Sequence, residues 1–133
     1  MKYVVDTHAL LWFLTASPRL SSNAKSILDD PNNSFILPAT ALAEACWIVE
    51  RGRIPTITSP NAIISSVNSD VRFTIAPLDQ AVIEKSNTLA SISEMHDRQI
   101  VATAKLLIEK GENVALITCD ANITASGSVP IAW

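Results

Sequence analysis

Four acidic residues stand at positions from which a folded chain could gather them into one site. They are Asp6, Glu44, Asp97 and Asp120. Two carboxylates about 4 Å apart repel by roughly 1 kcal/mol in water and by about 4 kcal/mol at an effective dielectric constant of about 20. A hard divalent cation relieves this repulsion, and Mg²⁺ in particular binds a few carboxylates together with phosphate oxygens. Such a cluster favours metal-assisted phosphoryl transfer, in which the ion activates water and stabilises the leaving oxygen.

Three of the acids also have an ordinary interpretation. Asp97 suits a helix N-terminus, where the helix dipole stabilises an anion by roughly 0.3–1 kcal/mol. Asp120 suits a turn, and Glu44 could be a solvated helix residue. Asp6 is different because it directly follows the apolar run Tyr3–Val5. An unpaired charge at the end of a core strand is costly unless something compensates it.

Short apolar strands alternate along the chain with amphipathic helices, and these elements must position the acids. The strands are predicted at Lys2–Val5, Phe35–Leu37, Phe73–Ile75 and Val114–Thr118, with a final edge strand at Val129–Ile131, where proline is tolerated. The helices are predicted at about 7–15, 22–28, 41–50, 60–68, 80–89 and 97–109. Ser59 and Asp79 are the expected caps of the fourth and fifth helices, and Gly52 and Gly111 end the third and sixth.

This alternation predicts parallel strand pairing and a three-layer α/β/α sandwich with a central, mostly parallel sheet of four to five strands. The strands are continuous apolar runs, which is typical of a sheet covered on both faces. In such sheets, ligands bind beyond the carboxyl ends of the strands, where the strand order reverses. Asp6 and Asp120 both follow predicted strands, so we expect them at that edge.

The composition narrows the class of protein. A chain of 133 residues, 48% of them hydrophobic, suits a single globular domain over residues 1–133. No apolar stretch is long enough to cross a membrane. Met1 leads straight into the first strand, so no signal peptide is expected and a cytoplasmic protein is the default. The net charge of −3 argues against binding nucleic acid by bulk positive charge, but not against a nuclease whose metal ions supply that charge.

Four segments of the chain resemble the PIN domain, and most closely the VapC-type toxins of toxin–antitoxin pairs. They are VVDTHALLW, ALAEACWI, HDRQIVATA and LITCD. They occur in the expected order across nearly the whole chain, together with the closing SGSVPIAW. The resemblance implies an endoribonuclease that cleaves RNA with Mg²⁺ or Mn²⁺, the toxin of a type II pair. It also implies a homodimer and a cognate antitoxin partner.

The resemblance also implies roles for single residues. Asp6 and Asp97 match the family's most dependable metal ligands, Glu44 matches the acid of the third helix, and Asp120 matches the acid after the fourth strand. Together these acids would hold one or two metal ions, and a metal-bound water would attack the scissile phosphate in line. Many relatives carry a basic residue where this chain has Cys119, so one phosphate contact is expected to be missing.

Residues beside the acids have two interpretations each. Thr7 and Thr118 are candidates for hydrogen bonds to the acids, or are simply a helix cap and a strand residue. Arg98 is a candidate for a phosphate contact or for orienting the acids, and otherwise a surface arginine paired with Glu94. His96 is a weaker candidate for a substrate contact.

The remaining candidates are predicted to be mainly structural. His8 and Trp12 are four residues apart on one helix and should pack together. Trp12, Trp47 and Trp133 are expected in the core or at a dimer seam rather than stacked on RNA bases.

Cys46 and Cys119 form no zinc or disulfide pattern and are expected to be small buried apolar residues. The basic residues Arg51, Arg53, Lys105 and Lys110 either line an RNA groove or are scattered solvated charges.

Three other functions compete with this prediction. A phosphatase of the haloacid-dehalogenase type would need an acid two residues after Asp6, where this chain has His8. A response-regulator receiver would need an acidic pair before the tip of the first strand and a lysine after the last strand, and the chain has neither. The third alternative is a catalytically weak PIN module that acts by binding RNA or protein.

Overall fold

The computed structural model describes all 133 residues, Met1–Trp133. Five strands form one sheet: β1 Lys2–Val5, β2 Ser34–Pro38, β3 Phe73–Ala76, β4 Val114–Ile117 and β5 Ile131–Ala132. Seven helices join them: α1 Thr7–Leu14, α2 Ser22–Asp29, α3 Ala39–Glu50, α4 Pro60–Ser69, α5 Gln80–Ser86, α6 Met95–Glu109 and α7 Ala121–Ser126. None of these helices combines the length and the apolar character needed to cross a membrane.

The sheet is parallel throughout, with the strand order β3-β2-β1-β4-β5. Helices α1 to α4 pack against one another, and α5 packs on α6. With the sheet they form the predicted three-layer α/β/α sandwich. The middle of the sheet is the most deeply buried part, because every residue of β4 is buried and Val4 and Val5 of β1 have no exposed surface.

The strand order reverses between β1 and β4, which are hydrogen-bonded neighbours although they lie more than a hundred residues apart in sequence. Val5 and Ile117 pair at the ends of these two strands. The backbone continues the contact for one more residue, because the N–H of Asp6 donates to the carbonyl of Ile117 at 3.1 Å. This is the place where ligands bind in open parallel sheets.

Several element boundaries differ from the prediction. Helix α3 begins at Ala39, directly after β2 and without a side-chain cap. Helix α5 ends at Ser86, because the N–H groups of Thr88 and Leu89 turn back to carbonyls only three residues earlier. The final edge strand begins at Ile131, two residues late, although the Pro130 carbonyl still accepts from Leu116 at 2.9 Å.

Helix α7 is absent from the prediction. Its six residues are too few to show a clear apolar period. The residues at its two ends are what indicate it in the sequence. Asp120 caps its N-terminus, and Gly127 takes the left-handed conformation at its C-terminus, with φ of 61°. The helix places Asp120 at a helix start rather than in a simple turn.

Candidate active site

Asp6 is buried at the end of β1, with 8% of its surface exposed, and both of its carboxylate oxygens are held. Oδ1 accepts from the backbone N–H of Thr7 at 2.7 Å, at the first turn of α1. Oδ2 accepts from the Thr118 hydroxyl at 2.5 Å. The same hydroxyl accepts from the N–H of Asp120 at 3.1 Å. Thr118 therefore joins the acid after β1 to the segment after β4.

Thr7 supports Asp6 through its backbone, while its side-chain hydroxyl is buried without a hydrogen-bond partner. Thr118, predicted as the last residue of β4, lies one residue beyond the strand. Because Thr118 lies just beyond the end of β4, its side chain is at the sheet edge beside Asp6, and its hydroxyl donates to the Asp6 carboxylate. Of these two threonines, Thr118 places its side chain on an acid.

All four predicted acids line one pocket of ≈ 260 Å³ at this edge. Asp6 and Asp120 follow the two central strands, Glu44 comes from α3, and Asp97 comes from the first turn of α6. The other lining residues are His8, Ala9, Glu94 and Cys119. No lysine or arginine lines the pocket, so neither of these cationic side chains balances the negative charge of the acids there.

The pKa of Asp97 shows the electrostatic effect of bringing these acids into one pocket. Burial, followed by the negative charges of Asp120 and Asp6, raises the pKa of Asp97 from 3.8 to about 7. Glu94 and Glu44 add smaller contributions in the same direction. The Asp97 carboxylate is therefore near its midpoint at neutral pH, and a nearby positive charge would favour its ionised form.

The pKa of Asp6 is also raised, and burial is the main cause. The hydrogen bonds from Thr118 and from the N–H of Thr7 act in the opposite direction, because they stabilise the charged form. Burial outweighs them. Asp6 is thus a well-oriented carboxylate that carries an uncompensated desolvation cost.

The donor chemistry of the pocket fits a hard divalent cation. Its acidic groups offer oxygen donors, which Mg²⁺ and Mn²⁺ prefer. The structure contains no group of three or more metal-binding side chains placed to hold one ion together, whether histidine, cysteine, aspartate or glutamate. Mg²⁺ commonly takes only one or two carboxylates and keeps several waters, so the acids suit a partly hydrated ion.

Glu94 lies in the pocket, although the sequence indicates it only as a partner for Arg98. Its Oε2 accepts from the N–H of Asp97 at 2.9 Å and caps α6. The available signal was its position three residues before Asp97, which is the spacing of a helix cap and its N3 residue. The predicted start of α6 at Asp97 was wrong by two residues, and this concealed the cap.

Arg98 is engaged with the loop that precedes α6. Its Nε donates to the carbonyl of Ile92, and its Nη2 donates to the carbonyl of Ala90 at 3.4 Å. It makes no salt bridge with Glu94, whose carboxylate instead lies 3.2 Å from Nδ1 of His96. The alternative of an Arg98–Glu94 pair is therefore wrong, and the guanidinium fastens the loop.

The predicted packing of His8 on Trp12 is confirmed, whereas the prediction for the two cysteines is wrong. His8 packs on Trp12 as predicted, with ring centroids 5.7 Å apart, and Trp12 packs on Trp133 at 5.9 Å. The prediction that both cysteines are buried is wrong. Cys46 is partly buried and Cys119 is exposed, because Cys119 follows β4 out of the sheet and lines the acidic pocket.

A second and larger pocket, of ≈ 690 Å³, adjoins the first and shares Glu44 with it. Trp47, Leu78 and Met95 line it and are all substantially exposed. The guanidinium of Arg51 lies 4.2 Å from the centre of the Trp47 ring, and that of Arg53 lies 5.9 Å away. Trp47 is therefore not a core residue.

A model of the PIN domain family matches residues 3–126 of the chain. No curated protein matches this chain. Among solved structures, VapC20 of Mycobacterium tuberculosis, described as a sarcin–ricin loop cleaving toxin, is 14% identical, with a TM-score of 0.70 over 98% of this chain and 99% of that one.

Two further solved structures are complexes. VapBC2 of Rickettsia felis, bound to a DNA fragment from its promoter, is 16% identical, with a TM-score of 0.68 over 98% of this chain and 97% of that one. A toxin–antitoxin complex from Klebsiella pneumoniae is 21% identical, with a TM-score of 0.63 over 92% and 90%. Likeness at these identities establishes a shared fold.

Proposed function

The chain belongs to the PIN domain family, and we propose that it is a metal-dependent endoribonuclease that hydrolyses RNA phosphodiester bonds. We propose further that it is the toxin of a type II toxin–antitoxin pair and acts in the cytoplasm. One observation carries the enzymatic proposal: acids from four separate parts of the sequence line one pocket at the switch point of the sheet, with no lysine or arginine among the lining residues.

Ordinary structural roles do not explain this convergence well. A helix cap or a turn needs one carboxylate at the surface, whereas here repulsion and burial raise the pKa values of both Asp6 and Asp97. A fold that keeps such an arrangement loses stability unless a cation binds there. Mg²⁺ or Mn²⁺ is the cation that fits an all-oxygen donor set.

The roles proposed for the single acids follow the family resemblance, and the pocket that they line together supports them. Asp6, oriented by two hydrogen bonds, and Asp97 would hold a partly hydrated ion, and Glu44 and Asp120 would add negative charge around its bound waters. When bound, the ion supplies an activated water and offsets negative charge on the phosphate oxygens. Asp97 must lose its proton to act as a ligand, and its raised pKa makes this step pH-dependent.

RNA as substrate and an antitoxin as partner are supported by similarity rather than by the pocket. One similar structure is described as a sarcin–ricin loop cleaving toxin, and another is described as a toxin–antitoxin complex. The chain's net charge of −3 makes bulk electrostatic binding of RNA weak, so the cations of the site would supply much of the local attraction.

A homodimer is the third part of the proposal. Trp47, Leu78 and Met95 are 48%, 43% and 60% exposed around the second pocket. A cluster of exposed apolar side chains favours burial against another protein surface. A second copy of the chain would cover this surface, which we call the Trp47 surface.

The experiment that tests the enzymatic proposal is incubation of the purified protein with total RNA, with and without Mn²⁺, followed by mapping of the new RNA ends. We expect cleavage at defined positions that requires Mn²⁺ and disappears in Asp97→Asn. RNA that stays intact but is still bound would instead favour the catalytically weak binding module.

A further inference from the structure

Helix α6 begins with an unusual cap. Serine, threonine, aspartate and asparagine are the favoured N-cap residues, and α2, α4, α5 and α7 follow this rule with Ser21, Ser59, Asp79 and Asp120. Helix α6 has Glu94 at this position. A shorter residue would provide the same cap, so the longer side chain calls for another explanation.

The two oxygens of Glu94 have different environments. Oε2 accepts from the N–H of Asp97 at 2.9 Å, which completes the cap. Oε1 lies 3.2 Å from Nδ1 of His96, a half-exposed side chain. Glu94 also lines the acidic pocket together with Asp97. Oε2 therefore serves the helix and Oε1 faces His96, while the carboxylate as a whole adds negative charge to the lining of the acidic pocket.

The cap also determines what Asp97 can do. In a capping box, the acid at the N3 position bonds back to the N–H of the N-cap residue. Asp97 occupies this position, but its carboxylate makes no hydrogen bond within the chain. Because Glu94 alone closes the first turn, the Asp97 carboxylate remains available to the pocket.

We infer that Glu94 is a fifth carboxylate of the divalent-cation site, positioning Asp97 through Oε2 and attracting the hydrated ion through the negative charge of its carboxylate. This inference rests on the proposed metal-dependent function. It adds a residue that acts from the helix cap, outside the four acids of the family resemblance.

Two substitutions remove the charge of Glu94 and leave a cap on α6. Glu94→Gln keeps the side-chain length and an oxygen that can accept from Asp97, but it removes the charge. Glu94→Ser keeps a favoured cap and removes the carboxylate from the pocket lining. We expect each to raise the dissociation constant for Mn²⁺ by roughly threefold to tenfold, as expected for the loss of one nearby charge that is partly screened by solvent.

Mn²⁺ binding is measured directly by the electron paramagnetic resonance signal of the free ion, so the readout does not depend on activity. Glu50→Gln is the matched control, because it removes the same charge from an exposed glutamate at the end of α3 that does not line the pocket. We expect the control to bind Mn²⁺ like the parent. Melting without divalent ions should show Glu94→Gln at least as stable as the parent, since one repulsion is removed.

The outcomes distinguish the two proposals. A parent protein that does not bind Mn²⁺ overturns the proposed function, and the role of Glu94 with it. A parent that binds Mn²⁺, with Glu94→Gln binding equally tightly, overturns the charge role of Glu94 and leaves the proposed function standing. Weaker binding in both Glu94 variants, with the Glu50→Gln control unchanged, supports the inference.

Discussion

Asp97 is a carboxylate whose proton affinity is set by its neighbours. Burial first, and then Asp120 and Asp6, raise its pKa to about 7. In the unfolded chain the value returns to about 3.8. Between these two values the folded protein binds more protons at this site than the unfolded chain does, so the free energy of unfolding decreases as the pH rises.

This difference predicts a pH-dependent stability. Without divalent ions, we expect the melting temperature of the parent to fall as the pH rises from about 4 to about 7 and then to level off. Asp97→Asn should lack this part of the decrease, because an amide does not ionise. Thermal melts of both proteins in a chelator, from pH 4.5 to 8, provide the measurement. Parallel curves for the two proteins would contradict the prediction.

Thr118 is the residue that links the two central strand ends. Replacing it with valine keeps the shape but removes the hydroxyl that donates to the buried Asp6 and accepts from Asp120. We expect Thr118→Val to lower the free energy of unfolding by about 1–3 kcal/mol at neutral pH, because a buried charged acceptor loses a donor.

Urea denaturation measures this effect, and Thr118→Ser is its control because it retains the hydroxyl. The serine variant should lie much closer to the parent than the valine variant does. Equal stability of the parent and the valine variant would show that the Asp6 carboxylate does not depend on this hydrogen bond.

Among the elements, three helices begin at the acidic pocket. Asp6 caps α1, Glu94 caps α6 and Asp120 caps α7, and all three residues line the pocket. A helix N-terminus carries partial positive charge, which stabilises nearby anions. These helix starts therefore offset part of the repulsion between the acids, and each cap residue serves both its helix and the site.

Asp120 allows these two roles to be separated. Its Oδ1 accepts from the N–H of Ile123 at 2.8 Å and caps α7. Asp120→Asn keeps a favoured cap, whereas Asp120→Ala removes it, which typically costs about 1 kcal/mol. We expect both variants to bind Mn²⁺ more weakly and only the alanine variant to lose stability without metal. Calorimetric titration and urea denaturation test the two parts, and unchanged Mn²⁺ binding in Asp120→Asn would remove Asp120 from the site.

At the scale of the whole molecule, the strand order produces the site. The chain adds strands to one side of β1 and then returns to place β4 on its other side. The carboxyl ends of β1 and β4 thus meet at the switch point, with the start of α6 beside them. Acids more than a hundred residues apart in sequence are brought to the same pocket by this reversal.

The Trp47 surface carries a prediction about assembly. If a second copy covers it, the parent should sediment at twice the mass of one chain. Trp47→Glu should then sediment as a single chain, because the new charge would have to be buried without a partner.

Val71→Glu is the matched control for that measurement. Val71 is 97% exposed and does not line the second pocket, so its substitution should leave the mass unchanged. A parent that sediments as one chain would refute the homodimer without affecting the proposed nuclease function.

The sequence by itself determined the elements other than α7 and the set of four acids. Strands β1 to β4 were predicted from continuous apolar runs, and caps such as Ser59 and Asp79 were predicted from residue type, because these signals act between neighbours in the chain. The α/β/α class followed from their alternation. The family resemblance then assigned roles to Asp6, Glu44, Asp97 and Asp120, whose gathering in one pocket the structure shows.

Only the tertiary structure decided how these residues meet. The bond from Thr118 to Asp6, the exposure of Cys119 and the place of Glu94 in the pocket all depend on which strand ends lie side by side. Local patterns carry no information on that lateral order, and a six-residue helix such as α7 is too short to show a period. The raised pKa of Asp97 has the same origin, since burial and distant charges act on it only after the chain has folded.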